Sequence, residues 1–211
     1  MMQWLDEETD AFDDDSELLG ELFDQLLQGT MDNGTAHQAL LLAELADDKL
    51  VSPAVRAALI VTLAEAGTIA QRDAATDPDG YANADMVLLA QVREAVQEAA
   101  ASLFADWEDE PEVVRFALAV LAAACSATDR VSQIGRLQSE QPVAPRAARL
   151  ALASALAADH EVAIVAALGD LAEHPDDNPD ALGAPEAPVQ GRGLSLLIDL
   201  AQQEIGPLVF D

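Results

Sequence analysis

The sequence predicts an all-α chain folded as a short α-solenoid of antiparallel helix pairs, about nine helices in a right-handed stack. Three observations carry that expectation. Helical apolar spacing runs along most of the chain, and no alternating β-branched run is long enough for a strand. Alanine, the best helix former and a residue that lets helices approach closely, makes up about a fifth of the 211 residues. One helix also recurs. PEVVRFALAVLAAA from Pro111 and PRAARLALASALA from Pro145 each open on a proline and carry an arginine four residues on, Arg115 and Arg149. PAVRAALIVTLAEA from Pro53 is a third copy with its arginine one residue earlier, at Arg56. Helices repeating at intervals of a few tens of residues are the signature of stacked helical units.

Taken in order, residues 1–15 read as an acidic, partly disordered arm in which Asp13, Asp14 and Asp15 form the densest run. Residues 16–211 read as one repeat domain with inserts at 68–84 and 174–190. Ser16 caps a first helix with the stripe Leu19, Leu22, Phe23 and Leu26. Thr35 and Gln38 have the spacing of a capping box, opening a helix that buries Ala36, Ala39, Leu40 and Ala43. Ser52-Pro53 starts the next helix, with Val55, Ala58, Leu59, Thr62, Leu63 and Ala66 inward and Gly67 as its stop. Asp77-Pro-Asp-Gly80 marks a turn in the polar insert that follows. Residues 84–104 then read as one long helix through Met86, Leu89, Val92, Val96, Ala99 and Leu103.

After an acidic turn at 106–112, the Pro111 helix points Val113, Ala117, Val120, Leu121 and Ala124 inward. Thr128 or Asp129 caps a shorter helix with Val131, Ile134 and Leu137. The Pro145 helix packs through Ala148, Leu152, Ala155 and Leu156, and Asp159 caps a partner carrying Val162, Val165, Leu168 and Leu171. A last helix at 193–204, with Leu194, Leu197, Ile198 and Ala201 inward, is expected to cap the array and to end at Gly206-Pro207.

The string QGTMDNGTAHQALLLAELA from Gln28, through Gly29, Thr30, Thr35, Ala36, Leu42, Ala43 and Leu45, resembles a segment of bacterial HEAT-repeat proteins with a QGT turn and a Thr-Ala-started helix. The resemblance covers residues 16–172. It implies a HEAT fold and an interaction role, and it implies no activity.

The formal net charge is −29, from 39 acidic and 10 basic residues. Such a balance argues against direct nucleic-acid binding, which neutralises phosphate with lysine and arginine. It disfavours an anionic membrane surface for the same reason. Two readings of the acid compete: general solvation, as in a GC-rich or high-salt proteome, and docking of a basic partner. Cys125 is the only cysteine, so no intrachain disulfide or cysteine-based zinc site is expected. The first residues are acidic where a secretory leader is basic, and the expected location is cytoplasmic.

No catalytic constellation is visible, and no metal or cofactor is expected. His37, His160 and His174 are scattered. The segments around Asp77 and Asp176 lack calcium-loop ligands, and no phosphate-binding glycine loop occurs. The best candidate partner-binding residues are Asp106, Trp107, Glu108, Asp109 and Glu110 in the acidic turn, with Asp13, Asp14 and Asp15 in the arm. Trp107 is either an interface anchor or a plug between repeats. Pro53, Arg56, Pro111, Arg115, Pro145 and Arg149 are expected to be structural repeat positions, each arginine pairing with a carboxylate of the neighbouring unit. The expected function is a non-enzymatic protein-interaction scaffold for a basic partner, which includes neutralising a basic toxin or nuclease. A nucleic-acid mimic that blocks a DNA- or RNA-binding protein is the alternative, and an enzyme with an unrecognised site is a third.

Overall fold

The computed structural model describes residues 35–76, 84–141, 144–172 and 187–210. The acidic arm, the helix expected from Ser16, the Asp77 turn and most of the 174–190 insert lie outside them. The described residues form eight α-helices and no strand: α1 (Thr35–Asp47), α2 (Pro53–Thr76), α3 (Met86–Leu103), α4 (Glu112–Ala124), α5 (Val131–Glu140), α6 (Ala144–Ala157), α7 (Glu161–Ala172) and α8 (Val189–Phe210). Short 3-10 turns, Trp107–Asp109 and Thr128–Arg130, precede α4 and α5.

The three proline-started helices lie side by side, α2 against α4 and α4 against α6. They run in the same direction. Ion pairs join their starting ends, Arg56 to Glu110 and Glu112 to Arg146, and a cavity at the other end touches Ala74, Ser126 and Asp159. The middle helix is enclosed on every side, since Phe116 and the run from Ala117 to Ala124 are all buried. Its alanines suit that place, because a methyl side chain lets three neighbours approach one axis closely. Around this row α1 and α3 pack on α2 and on each other, while α5 and α7 both pack on α6. The short α5 thus leans on the helix that follows it more than on α4. Ser126, in a left-handed conformation (φ 52°), and the 3-10 turn swing the chain away before α5 begins.

The final helix differs most from expectation. α8 runs from Val189 to Phe210 and lies across α2, α4 and α6, with its largest contact on α2. It runs against the row: Gly191 faces Gln71 and Ala75, while Glu204 reaches Arg146 and Arg149 at the start of α6. Leu194, Leu196, Leu197, Ile198, Leu200, Ala201 and Ile205 are all buried. It does not stop at Pro207. A proline costs one helical hydrogen bond, and the packing of Val209 against the core holds the last turn.

Several local expectations are corrected by tertiary contact. α2 continues through Gly67 to Thr76. A Cβ at Gly67 would stand 3.0 Å from Val96 Cγ1, so the glycine serves the close approach of α3 and not a helix stop. Arg56 is buried, and α2 is covered nearly all round by α1, α3, α4 and α8. It has the length and apolarity of a membrane span, as the central helix of a core also does. α1 buries Leu42 and Ala46, with Ala36 and Leu40 only partly covered. Met86 is exposed, and Asp85 caps α3 through the Val87 and Leu88 amides. α7 is apolar on more than one face, and the packing selects Ile164, Ala167, Leu168 and Leu171. Val162 and Val165 are 74% and 54% exposed. His160, not Asp159, caps α7, its Nδ1 accepting from the Ala163 amide at 3.2 Å. Asp159 sits in the left-handed turn that ends α6 (φ 51°).

Two predictions concern the α2–α8 contact, and a third, on α7, serves as its open-space control. A Cβ on Gly191 would lie 2.2 Å from the Gln71 carbonyl oxygen, which is backbone and cannot rotate away. Gly191→Ala should therefore cost about 1–3 kcal/mol in denaturant unfolding, as overpacking does. Gly169→Ala, with nothing near its Cβ, should gain up to ~1 kcal/mol from helix propensity. Asp199, on the same contact, has its carboxyl raised above the usual 3.8 by burial, with Arg72 opposing and Glu65 adding to the rise. A raised carboxyl is satisfied when protonated and disfavours the fold once ionised. Asp199→Asn should raise the melting temperature at neutral pH, and the gain should vanish as pH falls below 3.8.

Candidate functional site

Helix starts leave backbone amides without partners and carry partial positive charge, so carboxylates gather there. At the starting end of the α2–α4–α6 row they do so in an ordered way. Arg56, in the first turn of α2, donates to both oxygens of Glu110, at 2.8 Å to Oε2 and 2.7 Å to Oε1. Its Nε donates to the Ala46 carbonyl at the end of α1, at 2.7 Å. Lys49 also reaches Glu110. Both side chains of the Arg56–Glu110 pair are 4% exposed, so the pair is effectively internal. Burial by itself pushes the Glu110 carboxyl up, but the hydrogen bonds from Arg56 and Lys49 outweigh it and hold the carboxyl below its ordinary value.

On the far side of Pro111, Glu112 points the other way along the row and pairs with Arg146 of α6. Arg146 also binds Glu204 of α8 and lies over the Phe116 ring, 5.6 Å from its centroid. Arg149 joins Glu204 at 2.6 Å. Arg115 pairs with Glu140, at the end of α5, at 3.2 Å. One turn thus bonds backwards to α2 through Glu110 and forwards to α6 through Glu112. Pro111 between them is the N-cap of α4 and has an extended backbone.

This places the acidic turn's five residues in two groups. Trp107 is 2% exposed and packs in the core beside Phe104, ring centroids 5.8 Å apart. Glu110 is spent on Arg56. Asp106, Glu108 and Asp109 face solvent. Asp106 stands 3.8 Å from Lys49, and Glu108 meets Arg136 at 2.6 Å across an exposed pair. Exposed pairs of that kind contribute about 0.2–1 kcal/mol, so both carboxylates can exchange partners at little cost. Glu112 and Glu140 stand about half exposed on the same end, and Leu50, at 95% exposure, projects from the loop that carries Lys49. Asp13, Asp14 and Asp15 lie outside the described residues.

Sequence reasoning singled out Arg115 and Arg149 and counted Glu112 in the acidic turn, but missed Arg146, Glu204 and the link from Glu112 to Arg146. A signal was present: Glu follows Pro111 where Arg follows Pro145, opposite charges at one register of adjacent repeats. Elsewhere, Cys125 closes α4, and burial pushes its thiol up to about 11, with nearby Arg93 opposing. A thiol so little ionised is a poor nucleophile. Among the described residues no group of three or more His, Cys, Asp or Glu side chains could hold a metal ion. Comparison with protein families, with curated proteins and with solved structures returns no match.

Glu110→Gln leaves Arg56 buried without its counter-charge and should cost about 3–5 kcal/mol at neutral pH. Because the folded-state carboxyl lies below its unfolded value of 4.5, its contribution is complete above that value. It is lost as pH falls through the lower folded value. Urea titrations of wild type and Glu110→Gln should therefore show a gap that is constant from neutral pH to about 5 and closes under stronger acid.

Proposed function

We propose that the chain is a non-enzymatic interaction module, built as a short HEAT-like array of helix pairs, that holds a basic protein partner. The array reading rests on the parallel row α2, α4 and α6, whose starts are bonded unit to unit. The docking reading rests on one observation. Trp107 and Glu110 anchor the acidic turn inside the protein, so Asp106, Glu108 and Asp109 are presented outward on a fixed mount. Preorganised carboxylates lose little freedom on binding, and such complementarity mainly speeds encounter. Among the described residues, α8 covers one face of the row, and the starting end is an accessible charged surface. The partly buried, weakly acidic Cys125 thiol and the scattered histidines support binding over catalysis.

The test is affinity capture from the native host at low and high salt, with Asp106→Asn/Glu108→Gln/Asp109→Asn beside wild type. Glu110 stays intact because its loss would unfold the turn. The bound proteins should be more basic than the proteome, and the triple variant should lose them by at least tenfold. Raising salt well beyond physiological strength, where the screening length is about 8 Å, should do the same. A control carrying Glu161→Gln and Asp170→Asn on α7 should bind like wild type. Equal binding by the triple variant would rule the docking reading out.

A further inference from the structure

The opposite end of the row holds a feature that the docking surface does not use. A cavity of about 510 Å3 opens where α2, α4 and α6 finish and α8 begins. Its volume lies within the range of small-molecule sites. Among the described residues, Arg93 of α3 and Asp159, at the end of α6, bring one charge of each sign to its wall, and Gln71, Ser126 and Gln190 add neutral polar groups.

Arg93 is unusual for this protein. In a chain with 39 acidic residues, every basic side chain except Arg93 and Arg192 pairs with a carboxylate of the described residues. Arg93 has instead the neutral Gln71 amide. The orientation of that amide that satisfies both its atoms turns the oxygen to accept from the guanidinium at 3.2 Å and the nitrogen to donate to the Thr68 carbonyl at 3.3 Å. A guanidinium has five donors in a planar fork suited to a carboxylate, and one amide oxygen leaves much of that capacity unused.

Asp159 and Ser126 supply the other half. Both occupy the left-handed position that closes α6 and α4, where glycine is the usual residue. At that same end the last carbonyls of α4 and α6 carry partial negative charge. An ammonium beside Asp159 gains from both. The cavity wall therefore carries a cation at Arg93 and an anion at Asp159.

We propose that this cavity binds a small zwitterion: a free α-amino acid or an amino-carboxylate of similar size. The carboxylate is held by the Arg93 guanidinium and the ammonium by the Asp159 carboxylate, with Gln71 fixing the guanidinium. No bond is made or broken; the site senses or carries its ligand. It lies at the other end of the row from the acidic turn, so it stands or falls independently of the docking surface.

Isothermal titration calorimetry on the full chain tests it, with glycine, L-alanine and L-glutamine as probes. Acetate, ethylammonium and N-acetylglycine each present half of the charge pattern. At least one free amino acid should bind saturably with a dissociation constant below ~10 mM, and each half-probe should bind at least tenfold more weakly. Arg93→Gln and Asp159→Asn should each weaken the amino acid at least tenfold. Ala74→Phe, which fills the cavity without changing charge, should abolish binding. Circular dichroism checks each fold, and Asp159→Asn, at an exposed position, decides the matter if Arg93→Gln does not fold. The proposal is overturned if no amino acid binds saturably, if acetate binds as tightly as glycine, or if a folded variant keeps wild-type affinity.

Discussion

The buried pair of Arg56 and Glu110 is the constraint on which the rest of the molecule hangs. Two charges taken out of water are tolerated only when geometry and hydrogen bonding compensate for their lost hydration. Here the guanidinium meets both carboxylate oxygens, its third nitrogen caps the end of α1 at Ala46, and Lys49 adds a further donor. Four chain segments are thereby fixed at one point: the end of α1, the loop after it, the start of α2 and the turn before α4. The turn is then held in place for Glu112 to reach Arg146, and Arg146 in turn reaches Glu204 on α8. Ion pairs thus lead from the beginning of the described fold to its last helix, and Glu112, Arg146 and Glu204 are all more exposed than the first pair.

Apolar packing gives that polar chain its direction. α4 is flanked by α2, α6 and α8 along a run of alanines, and a helix with so small a cross-section can be enclosed from three sides. The result is a row whose helices share one polarity, with helix starts gathered at one end and helix ends at the other. Aligned dipoles make the two ends chemically unlike. Carboxylates of the acidic turn and Glu140 gather at the first end, while Arg93 lines the cavity at the second. α8 lies against the row with the opposite polarity and covers the face that an open array would leave to a ligand.

Much of this was legible in the sequence, and the reasons are local. Helical periodicity, proline at the helix starts and the recurrence of one helix are short-range signals, and they set the all-α class and the places where α2, α4 and α6 begin. Asp106, Glu108 and Asp109 could be expected at the surface because a turn rich in charge has little room to bury it. Trp107 and Glu110 sat in the same string and went inward, since an aromatic ring and a carboxylate facing Arg56 find in the core what their neighbours find in water.

What the tertiary structure alone decided follows from long range. Whether Gly67 ends a helix or admits another depends on Val96, far away in the chain, and only packing sets it. Which face of α7 turns inward cannot be read from a segment apolar on several sides, so neighbours chose Ile164 over Val162 and Val165. The place of α8 across three helices depends on Glu204 finding Arg146 and Arg149, and on Gly191 fitting against the α2 backbone. Periodicity fixes what a segment becomes, because that depends on residues within a turn or two. Partner choice depends on shape and charge brought together from distant parts of the chain, and no local pattern contains it.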